Sequence, residues 1–153
     1  MTSQDQDDLI SGILQTVTTI AMVGASPKPT RPSYRVMAFL QQHGFRVIPI
    51  NPGHAGEKIL GATVYASLDQ APAPFDMVDI FRSSEAAGEI TRAAIQLADQ
   101  KGITVIWMQQ GVRNDRAKAE AEAAGLVVIQ DHCPKIEYQR LALLPDAPLP
   151  DAR

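Results

Sequence analysis

The sequence predicts an α/β fold: one doubly wound, mostly parallel sheet of about five strands with helices on both faces. Three observations carry that prediction. Its β-type runs are apolar without interruption, as in TTIAMVG (18–24) and ITVIWM (103–108), which marks strands covered on both sides. These runs alternate with helix-type segments of roughly ten or more residues, the length a parallel crossover needs. The helix-type segments end at Gly44, Gly102 and Gly125, where a residue free to adopt a left-handed conformation stops a helix. A chain of 153 residues is one domain by length and large enough to bury a core without staples.

A short helix is expected over 7–15, followed by the first strand over 18–24. Val36, Phe39 and Leu40 fall at i, i+3, i+4 spacing and place a helix over 33–43. RVIPI (46–50) is the second strand. Residues 61–68 are expected as a loop with room for a short strand and a helical turn. MVDIF (77–81) is a strand, 84–100 a long helix, and ITVIWM a strand. Asn114 is placed to cap a helix over 114–124. LVVIQ (126–130) is the last strand. A closing helix over 134–144 begins with Pro134, a residue tolerated in the first turn. The chain therefore divides into an N-terminal helical extension (1–17), the α/β domain (18–144) and a proline-rich tail (145–153) expected to be flexible.

Composition narrows the function. Net charge is −3, with no basic stripe of the kind that nucleic-acid binders carry, so nucleic acid is not an expected partner. No run of roughly 18 apolar residues exists to span a membrane. The N-terminus MTSQD is polar and acidic, unlike a secretory leader. Cys133 is the one cysteine, which rules out an intrachain disulfide and fits a reducing compartment. The cytoplasm is the expected location.

In open parallel sheets, ligands sit beyond the C-terminal strand ends, where the strand order reverses. The loops to inspect are therefore 24–31, 51–58, 81–84, 109–113 and 131–134. The first reads GASPKPTR and leads into a helix, whose start offers free N–H groups and a favourable dipole for an anion. Gly24 is read as letting backbone approach a ligand. Ser26, Thr30 and Ser33 add hydroxyls; Lys28, Arg31 and Arg35 add charge. The chemistry is that of a phosphate site; the alternative is a structural turn with solvated basic residues. In the second loop, NPGHAGEK, Pro52 gives stiffness and Lys58 reach toward a phosphate. That loop alone leaves open whether it faces an adenine ring or is only a tight connection.

Two nucleotide fingerprints are missing. A dinucleotide loop needs glycine where Ser26 and Pro29 stand, and an acidic residue where Asn51 ends the second strand. NAD is disfavoured by both departures; NADP, which does without that acid, less so. The Walker A pattern is absent as well.

In order and spacing, VGASP (23–27), RPSYRV (31–36), IPINP (48–52), DIFR (79–82), WMQQGV (107–112) and DHCP (131–134) resemble the small stand-alone CoA-binding proteins. Those resemble the Rossmann-like CoA-binding domain of the succinyl-CoA synthetase alpha subunit. The likeness runs from about residue 20 to 141. It implies a coenzyme A or acyl-CoA cofactor held across the C-terminal strand ends. It places Gly24, Ala25 and Ser26 at the pyrophosphate and Lys28 and Arg31 near phosphate. Asn51, Pro52 and Lys58 fall on the adenosine side. Phe81, Arg82, Gln109 and Gly111 flank the pantetheine arm.

No catalytic constellation is evident. GHAG (53–56) resembles a phosphohistidine loop, but it stands directly after the second strand, in the position of a CoA-binding loop, and the synthetase's histidine belongs to a following domain. Cys133 and His132 are adjacent, and neighbours in sequence rarely orient on each other as nucleophile and base. The three histidines show no metal-ligand spacing. Trp107 and Phe81 are expected mainly as core. The expectation is a non-catalytic binding module, with a protein partner or homo-oligomer left open. The alternatives are an NADP-linked oxidoreductase and the CoA-binding subunit of a multi-subunit acyl-CoA ligase.

Overall fold

A computed structural model describes residues 2–142. Five strands, β1 (Thr19–Val23), β2 (Arg46–Ile50), β5 (Met77–Ile80), β6 (Val105–Met108) and β7 (Val127–Ile129), form one parallel sheet in the order β2-β1-β5-β6-β7. Two short strands, β3 (Lys58–Ile59) and β4 (Ala62–Thr63), make a separate antiparallel hairpin. The helices are α1 (Ser3–Thr16), α2 (Pro32–Gln42), α3 (Ser84–Lys101), α4 (Asp115–Ala123) and α5 (Pro134–Ala142).

Strand alternation sorts the core into two layers. Ile20, Met22, Val47, Met77, Val105 and Trp107 pack with residues of α1, α2 and α5. Ala21, Val23, Ile48, Val78, Ile80 and Ile106 pack with residues of α3 and α4. Each strand is thus buried on both faces, as its unbroken apolar run requires.

Pro49 shows why β2 lies at an edge. Within a sheet a proline is tolerated where its missing N–H would have pointed outward. The Ile50 carbonyl accepts from Gly24 on the inner side, whereas the Pro49 carbonyl points outward and accepts from Tyr65 at 3.0 Å. The Asn51 N–H then donates to the Tyr65 carbonyl at 2.9 Å. This single parallel bridge stands where a third strand would run beyond β2. Counted as one, it makes the order 3-2-1-4-5-6, that of a Rossmann sheet. The region expected as a loop with a short strand and a helical turn has both: β4 with the Tyr65 bridge, and a turn closed by Ala71 N–H onto the Ser67 and Leu68 carbonyls.

The N-terminal helix is longer than expected. Thr2 and Asp5 form a capping box, the Thr2 hydroxyl accepting from Asp5 N–H and the Asp5 carboxylate from Thr2 N–H. Ile10, Ile13 and Leu14 then bury against the sheet layer that α5 also covers. Arg140 of α5 reaches Asp7 of α1 at 2.6 Å, joining the two helices. Ser83 and Asn114 cap α3 and α4 through their side chains. The expected end of the closing helix at residue 144 and the tail 145–153 lie outside the described residues. No described helix is long and apolar enough to cross a membrane.

Candidate functional site

The strand order reverses between β1 and β5, where one chain crossover leads to β2 and the other to β6. Both strands end in short turns that meet. Gly24 has φ of +90°, a conformation that favours glycine. A Cβ there would stand 2.3 Å from the Phe81 carbonyl oxygen and 3.1 Å from Cδ of Arg82. The room that Gly24 makes is therefore filled by the β5–α3 turn, not left for a ligand; its place is to let two turns close on each other.

The β1–α2 loop is held from several directions. The N–H groups of Gly24 and Ala25 both donate to the Ile50 carbonyl, at 3.0 and 3.3 Å. Asn51 Nδ2 donates to the Ala25 carbonyl at 2.8 Å, while its Oδ1 accepts from Gly53 N–H at 2.9 Å. One side chain thus ties the loops after β1 and β2. Ser26 Oγ accepts from Lys28 N–H, and the Arg35 guanidinium donates to the Thr30 carbonyl at 2.8 Å. Ala25 is buried with its N–H and carbonyl both used inside the protein, so it shapes the loop and has no group left to offer. Arg31 stands at the N-cap of α2 without a side-chain cap, and Pro32 follows. The helix start carries its partial positive charge uncompensated by any capping group.

Beyond β5 and β6, Gln109 N–H donates to the Ile80 carbonyl and Val112 N–H to the Gln109 carbonyl. The Gly111 N–H is taken by Asp131 Oδ1 at 2.7 Å. Asp131 is one of two non-glycine residues described with positive φ, at 57°. Trp107 is fully buried, and its Nε1 donates to the His132 carbonyl. It is core, whereas Phe81 is partly exposed at the mouth. The His132 ring bonds the Asp131 carbonyl at 2.6 Å, with no bond to the buried Cys133. His54 pairs with Glu57 on the surface. Among the described residues no group of His, Cys, Asp or Glu is placed to hold a metal.

The expected residues separate into three sets. Gly24, Ala25, Asn51, Phe81 and Arg82 are brought into contact, and Gln109 adjoins them through Ile80. Ser26, Lys28 and Arg31 follow on the first loop, exposed or half-exposed, while Ser33 is buried beneath the start of α2. Pro52 opens a short 3-10 turn, Lys58 lies on the hairpin past it, and Gly111 turns toward β7; no hydrogen bond links these three to the first loop. Lys28, Arg31, Lys58 and Arg82 are exposed and make no ion pair among the described residues. A separate groove of about 360 Å³ runs along the outer edge of β2, between Gln41, Phe45 and the hairpin. None of the expected residues lines it.

Sequence reasoning passed over Asp79. It lies within β5, fully buried, with no hydrogen-bond partner on either oxygen among the described residues. Burial pushes its carboxyl well above the usual carboxylate range. An acid inside an otherwise apolar strand was the available signal, since unpaired Asp is rarely buried.

Comparison with known proteins fits this geometry. The chain is 33% identical over 129 residues to the Bacillus subtilis (strain 168) protein YneT, covering 84% of this chain and 91% of the relative. It is 37% identical to a hypothetical protein from Pyrococcus horikoshii OT3 of known structure, with a TM-score of 0.80 over 88% of this chain and 91% of that one. A fold likeness at 18% identity and TM-score 0.63 links 78% of the chain to 28% of the Ca. Korarchaeum cryptofilum dinucleotide-forming acetyl-coenzyme A synthetase 1. The family model described as a CoA binding domain matches residues 18–139. With its strand order, its strand-end loops and that match over most of its length, the chain belongs to the CoA binding domain family.

Proposed function

We propose that this chain binds coenzyme A, free or acylated, across the C-terminal ends of β2, β1, β5 and β6, as a module without chemistry of its own. One observation carries the reading. In a protein of net charge −3, Lys28 and Arg31 on the β1–α2 loop, Arg82 on the β5–α3 turn and Lys58 on the hairpin after β2 are exposed and make no ion pair among the described residues, and α2 starts without a side-chain cap. A ligand with several phosphates is what such an end attracts.

Each part of the ligand then has a counterpart. The pyrophosphate lies along the loop shaped by Gly24 and Ala25, meeting Ser26 and the helix start. Lys28 and Arg31 supply charge to the phosphates. Asn51, Pro52 and Lys58 border the adenosine. Phe81, Arg82, Gln109 and Gly111 border the pantetheine arm. Because Asn51, Arg35 and Ser26 already hold the loops, little ordering remains to oppose binding. No nucleophile paired with a base stands among these residues, which supports binding over catalysis.

Thermal shifts with CoA, acetyl-CoA, dephospho-CoA, NAD and NADP at equal concentration test the reading. A ligand present at about 100 times its Kd stabilises by roughly 2.7 kcal/mol. CoA and acetyl-CoA are expected to shift the transition and NAD is not. A shift with NADP alone would replace this reading with the oxidoreductase one.

A further inference from the structure

Asp79 is flanked by Met22 of β1 and Trp107 of β6 in the sheet register. Gln109 follows Trp107 by two residues, just past the end of β6, and its N–H bond to the Ile80 carbonyl keeps it in register. Side chains alternate along a strand, so Asp79, Phe81, Trp107 and Gln109 all lie on the face covered by α1, α2 and α5. Trp107 belongs to that layer's core and Phe81 packs against it. Asp79 pairs with Trp107 across the parallel β5–β6 ladder, so Gln109, two residues further on, is its diagonal neighbour. Gln109 Oε1, like both oxygens of Asp79, is buried and has no partner among the described residues.

Unpaired polar groups in an apolar layer are costly, on the order of 1–3 kcal/mol each. Leucine at either place would pack without that cost. Two such groups on neighbouring strands, in the same layer and next to the mouth of the site, call for a partner. Phe81 follows Asp79 by two residues on the same face, at the end of β5, and is partly exposed.

We propose that Asp79 and Gln109 form the polar floor of the ligand site and hydrogen-bond one secondary amide of the pantetheine arm. The inference rests on the CoA reading above and adds which part of the ligand goes deepest. Burial raises the Asp79 carboxyl above the usual carboxylate range; in its neutral form it has one O–H donor and one acceptor oxygen, and Gln109 Oε1 is an acceptor. A secondary amide supplies the complement: its carbonyl accepts from Asp79 and its N–H donates to Gln109. A phosphate does not fit, because it would bring charge into an apolar layer beside an acid.

Calorimetric titration of CoA, pantetheine and 3′,5′-ADP tests this on the wild type, Asp79→Leu, Asp79→Asn and Gln109→Leu. Asp79→Leu is expected to weaken CoA and pantetheine about tenfold or more, the loss of one well-placed hydrogen bond. Binding of 3′,5′-ADP, which has no arm, is expected to change by less than about twofold, the usual scale of a distant substitution. Asp79→Asn, which keeps a donor and an acceptor, is expected to retain pantetheine binding. Gln109→Leu repeats the test at the edge of the layer should Asp79→Leu fold poorly. Unchanged pantetheine affinity in both Leu variants overturns the floor while CoA binding stands; it leaves the two groups to a shared buried water. Equal losses for pantetheine and 3′,5′-ADP overturn it too, as a structural effect. A wild type that binds none of the three fails at the CoA reading itself.

Discussion

The Cα of Gly24 and the carbonyl of Phe81 are packed so closely that a Cβ at residue 24 would stand 2.3 Å from the Phe81 oxygen. This contact joins the turns after β1 and β5, the two strands between which the site opens. Gly24→Ala meets both a backbone obstacle and a φ of +90°. It is expected to destabilise the protein by about 2–4 kcal/mol, the combined scale of a strained backbone and an overpacked contact. Urea denaturation measures this; an unchanged midpoint would show that the two turns separate in solution.

Asn51 occupies the place of the ribose-binding acid of dinucleotide enzymes, yet its amide is committed to Ala25 and Gly53. Asn51→Asp restores the acid of that fingerprint. It keeps the acceptor for Gly53 and turns the Ala25 contact into two facing oxygens. The expected result is a loss of roughly 1–3 kcal/mol in stability and weaker CoA binding, with no gain in NAD affinity. An NAD-induced thermal shift in this variant would contradict the structural role given to Asn51.

Asp79 predicts how stability depends on pH. Its folded-state pKa is raised by burial, so its favourable contribution is complete below the unfolded pKa near 4 and is lost as pH rises toward the folded value. Over that window the wild type is expected to lose up to about 1.4 kcal/mol per pH unit relative to Asp79→Asn, which does not titrate. Denaturation of both proteins at a series of pH values isolates the difference. A difference that stays constant from acid to neutral pH would show that Asp79 is already ionised when folded.

Arg31 is exposed at the start of α2 and makes no ion pair among the described residues. Arg31→Ala is expected to weaken CoA binding by about 1–2 kcal/mol at low salt, in the range of a charge-assisted hydrogen bond moderated by solvent. The loss for dephospho-CoA is expected to be smaller. Titration of both ligands checks this, and equal losses would move Arg31 away from the 3′-phosphate.

Periodicity and punctuation made the fold legible. Unbroken apolar runs revealed a sheet buried on both sides, and Gly102 and Asn114 marked helix ends that the structure retains. The α1 start was missed because Thr2 and Asp5 act through a reciprocal capping box in a stretch whose composition reads as a frayed end. The loops after the strand ends were legible too, since their places follow from the element order.

What the sequence by itself determined was the set of strands and helices, the loops that follow the strand ends, and the basic and hydroxyl side chains those loops carry. Only the tertiary structure decided what each residue there is free to do. Asn51 bonds Ala25 because β2 and β1 are neighbours, and Gly24 abuts Phe81 because β1 and β5 are. Those pairs are far apart along the chain, and no local pattern encodes them. Asp79 sits in an apolar run that predicts a buried strand correctly, but that run cannot report whether its one acid finds a partner. Desolvation and hydrogen bonding depend on everything packed around a group, and strand order is what brings those surroundings together.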